Sequence, residues 1–168
     1  MSYQSHQTVG QKIAARCAVI TLSDTRNEGT DTSGQRIRQL LTDAGHETAL
    51  YKIIPDDPTT LRPLLLSCLA DAGIDCILTN GGTGISRRDQ TIDVIAAHLD
   101  QPLPGFGELF RMLSWEQIQS GAMLSRAVGG IARGKLVFAM PGSTKAVELA
   151  MTRLILPELG HLLGELRK

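Results

Sequence analysis

Residues Ile74-Asp75-Cys76-Ile77-Leu78 form a near-continuous apolar run of strand length. The chain then breaks into Thr79-Asn80-Gly81-Gly82-Thr83-Gly84-Ile85-Ser86-Arg87-Arg88-Asp89 before a helical pattern begins at Thr91. A buried strand that stops in a glycine turn and restarts as a helix is the repeating unit of open α/β sheets. The same layout brings backbone N–H groups up to an anion. Arg87 and Arg88 add positive charge against a phosphate or carboxylate. Asp89 is an acceptor, and an acceptor beside phosphates implies a metal ion or a proton. The plainer alternative for this stretch is a tight turn with solvated charges.

The rest of the chain repeats the unit. Arg16 to Leu22 reads as a strand buried on both faces. Ser23 to Asp31 is a polar loop, and Thr32 or Ser33 can cap a helix whose apolar face is Ile37, Leu40, Leu41 and Ala44, with Gly45 as its stop. His46 to Ile54 is a second strand, ending at Pro55-Asp56-Asp57-Pro58. Thr59 or Thr60 opens a second helix, with Pro63 in its first turn and Gly73 at its end. Thr91 to about His98 is a third helix. Pro102 to Gly105 reads as a break before a further helix at 106–113. Ala127–Ala132 and Leu136–Met140 read as two strands joined at Arg133-Gly134. Pro141-Gly142-Ser143-Thr144 again follows a strand and opens a helix, which Pro157 should bend or break. This order predicts a three-layer α/β/α sandwich on a mostly parallel central sheet, with one antiparallel member. The expected organisation is a mobile tail over residues 1–14 and a single domain over 15–168.

In an open α/β sheet, ligands bind beyond the carboxyl ends of the strands. Four such ends are polar here: Ser23-Asp24, Pro55-Asp56-Asp57, Thr79 to Asp89, and Pro141 to Thr144. Parallel strands would crowd them on one rim. The rim then holds carboxylates, hydroxyls, glycine backbone and the cations Arg87, Arg88 and Lys145, a mixture suited to a phosphorylated or nucleotide ligand with a divalent cation. Each member also has a structural reading. Asp24 can cap a turn and Asp56 can start a helix. Pro102 to Glu108 can be a connector, and Ser125-Arg126 an exposed turn. Phe106, Phe110 and Met112 read as core or subunit interface, Trp115 and Met123 as core.

Composition removes several function classes. Seventeen basic residues balance seventeen acidic ones, which argues against general nucleic-acid or membrane-surface binding. No apolar run reaches transmembrane length. Cys17, Cys68 and Cys76 sit in apolar runs without CxxC spacing, the usage of reduced thiols in a cytoplasmic protein rather than disulfides or zinc. No P-loop, dinucleotide fingerprint or G-x-S-x-G is present, and the four histidines lie away from the rim.

Taken in order, the motifs resemble those of the MoaB/MogA molybdopterin-binding family. The resemblance is carried by Thr79 to Gly84 followed by Arg88-Asp89, by Pro104-Gly105-Phe106-Gly107-Glu108, by Leu124-Ser125-Arg126-Ala127-Val128 and by Met140-Pro141-Gly142-Ser143. Asp31-Thr32-Ser33-Gly34 and Phe110 to Ser114 add to it. It spans residues 16–158, and the body looks closer to MoaB than to MogA. It implies an α/β/α fold assembled as a homo-trimer or homo-hexamer, and a step in molybdenum cofactor synthesis. Enzymatic members transfer AMP from Mg-ATP to the terminal phosphate of molybdopterin. On that basis Asp56 and Asp89 are the expected catalytic and Mg2+-binding residues. The expected substrate contacts are Ser23, Asp24, Thr79, Asn80, Gly81, Gly82, Thr83, Gly84, Arg87, Arg88, Gly105, Glu108, Ser125, Arg126, Pro141, Gly142 and Ser143. Enzymatic relatives often carry Asn in N-x-P-G, where this chain has Ala139-Met140-Pro141-Gly142. The family therefore leaves two expectations: an adenylyltransferase, or a non-catalytic molybdopterin carrier. It leaves open whether a molybdate-insertion protein docks on the chain.

Overall fold

The computed structural model describes residues 13–87 and 89–168. Residues 1–12, most of the expected tail, and Arg88 lie outside the described residues. Six strands form one sheet: β1 Arg16–Leu22, β2 Glu47–Ile54, β3 Cys76–Asn80, β4 Gln101–Pro102, β5 Val128–Ala132 and β6 Lys135–Met140. Their spatial order is β2-β1-β3-β6-β5-β4. β1, β2, β3 and β6 are mutually parallel. β5 runs against β6 and β4 against β5, so β5 is the antiparallel member. The two-residue β4 is not legible in the sequence, because Pro102 reads there as a break. Proline is tolerated at a sheet edge, and β4 is the edge.

Burial follows position in the sheet. β3 is buried at every residue, whereas β2, on the other edge, alternates. One face of the sheet is covered by α1 Thr32–Asp43, α4 Pro104–Ile118, α5 Thr144–Ala150 and α6 Leu156–Leu166. That core gathers Val19, Leu78, Ile37, Leu41, Phe110, Phe138 and Leu159. The other face is covered by α2 Pro58–Ala70 and α3 Thr91–Ala96, around Ile20, Ile77, Leu61, Leu65 and Ile95. The sheet is therefore the middle of three layers, as expected. No helix among the described residues is long and apolar enough to cross a membrane. The three cysteines are buried free thiols, with Cys17 and Cys76 opposite one another across β1 and β3.

Local chemistry corrects several boundaries. α1 is capped by Asp31, not by Thr32 or Ser33; its carboxylate accepts from the Gly34 N–H (3.0 Å). α2 is capped by Asp57 rather than Thr59 or Thr60, with Pro58 at the first helical position. Because α2 starts there, Pro63 lies inside the helix and not in its first turn. α4 begins at Pro104, so the expected break is part of the helix. Pro157 does not end its helix. The five residues before α6, Met151–Ile155, form a π turn that absorbs the missing donor, and the helix continues. The Arg133-Gly134 turn has φ values of 48° and 73°, the left-handed pair a two-residue hairpin needs.

Asp75 ties the amino-terminal ends of the central strands together. It accepts from the Arg16 N–H and Nε (2.9 Å each), from Arg16 Nη2 (3.0 Å) and from Arg167 Nη2 (3.1 Å). Those bonds to Arg16 outweigh burial and hold the carboxyl down at about 2. A depressed carboxyl stabilises the fold above its unfolded value and loses that contribution as pH falls through the folded one. Asp75→Asn is expected to cost on the order of 2 kcal/mol at neutral pH. The gap to wild type should close between about pH 4 and pH 2, measured by urea denaturation across that range.

Candidate functional site

The parallel register puts the carboxyl ends of β2, β1, β3 and β6 on one rim. The chain leaves β1 outward to β2 and returns on the far side of β1 to β3. This reversal opens a crevice between the two strand ends, the usual ligand position in such sheets. The glycine turn lines it. Gly81 and Gly82 have φ values of 101° and 62°, which only glycine adopts without strain. The Gly81 N–H donates to the Met140 carbonyl (3.1 Å), binding the turn to the end of β6. Gly142 packs against it, its missing Cβ only 3.1 Å from the Gly81 Cα.

The acidic residues sit around this turn in two groups. Asp24 Oδ1 accepts from the backbone N–H of Asp56 (3.1 Å), and Asp56 Oδ1 accepts from Thr91 Oγ1 (3.4 Å). A Cβ on Gly82 would lie 2.1 Å from Thr91 Oγ1 and 2.5 Å from Asp56 Oδ1. Asp56 therefore rests directly on the glycine backbone. At the other end of the loop, Asp89 Oδ2 accepts from the Ser86 N–H (2.9 Å) and lies against Gly84. Arg126 Nη1 donates to the Asp89 carbonyl (3.2 Å), and Nη2 pairs with Asp93 (2.5 Å). Arg126 is thus a clamp on the loop, not a solvated charge. Arg87 is exposed.

Gly82→Ala is the sharpest local probe. It adds left-handed strain of about 1–2 kcal/mol and pushes a methyl into the Asp56 carboxylate. Gly105→Ala, where a Cβ meets nothing within 4 Å, should instead be neutral or raise stability by about 0.5 kcal/mol. Thermal melts of the two variants should move in opposite directions or differ by several degrees.

Behind the carboxyl edge lies a cleft of about 610 Å³ between α4 and α5, lined by Ser125, Pro141, Ser143, Lys145, Glu148 and Arg153 over Phe110, Ile118 and Leu149. Ser125 and the Pro141–Ser143 turn, far apart in sequence, meet here. Glu148 is paired with Arg36 (2.7 Å), and Lys145 and Arg153 are the other charged residues of the lining. Gly105 lines a different, apolar cavity of about 460 Å³ between the start of α4 and α6, and Glu108 is exposed on α4. The structure does not bring these two to the crevice. Trp115, Met112 and Met123, read as interior or interface, are 55 %, 58 % and 77 % exposed. Phe106 and Phe110 hold the inner face of α4.

A buried polar network beneath the rim was missed in the sequence. Asp31 is fully buried. It accepts from Thr21 Oγ1 (2.6 Å), Tyr51 Oη (2.7 Å), the Gly34 N–H and Arg26 Nη1 (3.4 Å). Burial alone would push its carboxyl up, but the hydrogen bonds from Thr21, Tyr51, Gly34 and Ser33 prevail and hold it below the usual range. The Tyr51 hydroxyl is correspondingly pushed up by burial and by that same bond. Asn80 completes the network, donating to Thr21 Oγ1 (2.9 Å) and accepting from Ser33 Oγ (2.8 Å). Asn80 and Thr79 are fully buried, so their side chains support the glycine turn from below. Thr83 is also buried, and Ser23 Oγ accepts from the Arg26 N–H (3.2 Å). The one sequence signal for this network was Asp31-Thr32-Ser33-Gly34. A Cβ on Gly34 would stand 2.1 Å from Asp31 Oδ2, so the glycine is what lets the carboxylate reach the sheet.

Among the described residues no group of three or more His, Cys, Asp or Glu is placed to hold a metal ion. The fold and rim thus define a three-layer α/β/α protein with a glycine turn and carboxylates gathered at the carboxyl edge of its sheet.

Comparison with known proteins narrows that class. The family described as "Probable molybdopterin binding domain" matches residues 18–161. The chain is 50% identical to molybdenum cofactor biosynthesis protein B of Bacillus cereus over 169 residues, covering 100% of this chain and 99% of the relative. A crystal structure of a molybdenum cofactor biosynthesis protein B superposes with a TM-score of 0.90 at 51% identity, covering 92% and 97% of the two chains. The tungsten cofactor synthesizing protein MoaB from Pyrococcus furiosus superposes with a TM-score of 0.83 at 37% identity, covering 92% and 98%. The chain belongs to the molybdopterin-binding family.

Proposed function

We propose that the chain acts in molybdenum cofactor biosynthesis, in the cytoplasm, by adenylylating molybdopterin with Mg-ATP to give adenylyl-molybdopterin and pyrophosphate. The observation that carries the reading is the pair of carboxylates, Asp56 and Asp89, each resting on a glycine of one strand-end turn. Asp56 and Asp89 would hold Mg2+ together with phosphate oxygens, and the ion would supply charge neutralisation at the α-phosphoryl group and the leaving pyrophosphate. A terminal phosphate oxygen of molybdopterin attacks the α-phosphorus in line, forming the new P–O bond as the bond to pyrophosphate breaks. The nucleophile is already an anion, so no general base is required. The Gly82 and Gly84 backbone holds phosphate oxygens, and the cleft beside Ser125 and Ser143 gives room for the flat pterin.

Incubating the protein with molybdopterin, ATP and magnesium should yield adenylyl-molybdopterin. No product, with an active adenylyltransferase working alongside, removes this reading. The carrier reading is favoured by one observation. Ala139 stands where enzymatic relatives often have Asn, and its register partner Thr79 keeps a buried hydroxyl without a partner among the described residues. A carrier binds molybdopterin without consuming ATP, and the same assay separates the two.

Assembly as a trimer or hexamer is part of the proposal. Leu109, Met112, Trp115, Ile118, Met123 and Leu124 are all exposed along α4 and the turn after it, more apolar surface than a lone helix face normally shows. Light scattering at micromolar concentration should give three or six times 18.1 kDa; a monomer or dimer refutes the assembly.

A further inference from the structure

Arg26 follows β1 into the crevice, and no motif in the sequence singles it out. Its guanidinium is held from two sides. Nη1 donates to Asp31 Oδ1 (3.4 Å) and Ser33 Oγ (2.5 Å), and Nη2 donates to the Gly142 carbonyl (3.0 Å), a link across 116 residues. An arginine has five N–H donors; Nε–H and one Nη2–H have no partner among the described residues. The side chain is 29% exposed, whereas Asp31 is 0% exposed. The ion pair is therefore one-sided: solvent meets the cation, and the anion is hidden beneath it. Nη1 lies 3.9 Å from where a Cβ of Gly142 would stand, beside the Gly81–Gly142 contact. Arg87, by contrast, is exposed in the loop.

We propose that Arg26 is the fixed anion contact of the crevice, taking a phosphate or pyrophosphate oxygen of the bound ligand. It rests on the reading that the crevice takes a phosphorylated ligand. Pinning by Asp31 and Gly142 means that little rotamer entropy remains to be lost on binding. The guanidinium fork suits an oxyanion better than a lysine would. Arg26 also fastens the loop after β1 to the Pro141–Ser143 turn, so a purely structural role must be told apart.

The test is calorimetric titration of the full chain with inorganic pyrophosphate and magnesium, well below the melting temperature. Wild type, Arg26→Gln, Arg26→Lys and Arg62→Gln, an exposed arginine of α2, are compared, with a thermal melt of each. Arg26→Gln should weaken pyrophosphate at least tenfold, and Arg26→Lys at least threefold. Arg62→Gln should change it less than threefold. A lowered melting temperature with affinity within twofold of wild type makes Arg26 a strut and overturns the proposal. A wild type that binds no pyrophosphate at millimolar concentration overturns it as well, as does an equal loss in Arg62→Gln. Should Arg26→Gln fail to fold, Arg26→Lys decides on the same criterion. Because no AMP transfer is measured, pyrophosphate binding without adenylylation would sink the enzymatic reading and leave this one standing.

Discussion

Asp31→Ala should lose about 4 kcal/mol of folding stability and roughly 8–16 °C in melting temperature for a chain of this size. Three effects add. The α1 cap disappears, since the carboxylate accepts from the Gly34 N–H, a loss of about 1 kcal/mol. The Thr21 hydroxyl, fully buried, loses its acceptor, which costs about 1–3 kcal/mol. Tyr51 and Arg26 lose an anionic partner. Asp31→Asn keeps the volume and one acceptor oxygen, and should lose about half as much. The pH dependence identifies the charge. Asp31 is depressed in the fold, so its ionised contribution is present above the usual carboxylate range and is lost as pH falls below it. The difference between wild type and Asp31→Asn should therefore shrink as pH falls below about 4. Equal stability of wild type and Asp31→Ala at pH 7 would contradict the network.

Asp89→Asn and Asp56→Asn should each reduce adenylyl-molybdopterin formation by at least about a hundredfold, the scale seen when one electrostatic contact to a developing charge is removed. Asn keeps an oxygen that can accept from the Ser86 N–H, or from Thr91 in the case of Asp56. The turn should hold and the melting temperature move little. Molybdopterin affinity should persist in Asp89→Asn, because its carboxylate serves the metal and the phosphates rather than the pterin. Single-turnover measurements with saturating ATP read the chemical step directly. Full turnover in Asp89→Asn would take Asp89 out of the metal role, and full turnover in both variants would remove the paired-carboxylate mechanism.

Much of the rim was legible in the sequence, because its parts are local. A β-strand that runs into Gly-Gly must turn; Asp24 and Asp56 each lie two residues beyond a strand and Asp89 nine residues beyond one. That Asp56 lies under Gly82, and Arg126 over Asp89, required the register of β2 against β1 and the placement of α3. The face of α4 was not legible. Phe106, Phe110 and Leu113 recur at helical spacing and are buried, but Leu109, Met112 and Trp115 on its other sides are equally apolar and exposed. Periodicity identifies a helix with two apolar faces, and only the neighbouring layer decides which one is inside.

The sequence by itself determined the order of the helices and of every strand but the two-residue β4, the four polar strand ends and the glycine turn. Each depends on hydrophobic runs and backbone chemistry within about ten residues. Only the tertiary structure decided that Asp31, Thr21, Tyr51, Asn80 and Arg26 form one network, and that Arg26 reaches Gly142. Those partners are 5 to 116 residues apart. They meet because a parallel sheet brings distant carboxyl ends together, and because Gly34 lacks the one atom that would keep them apart.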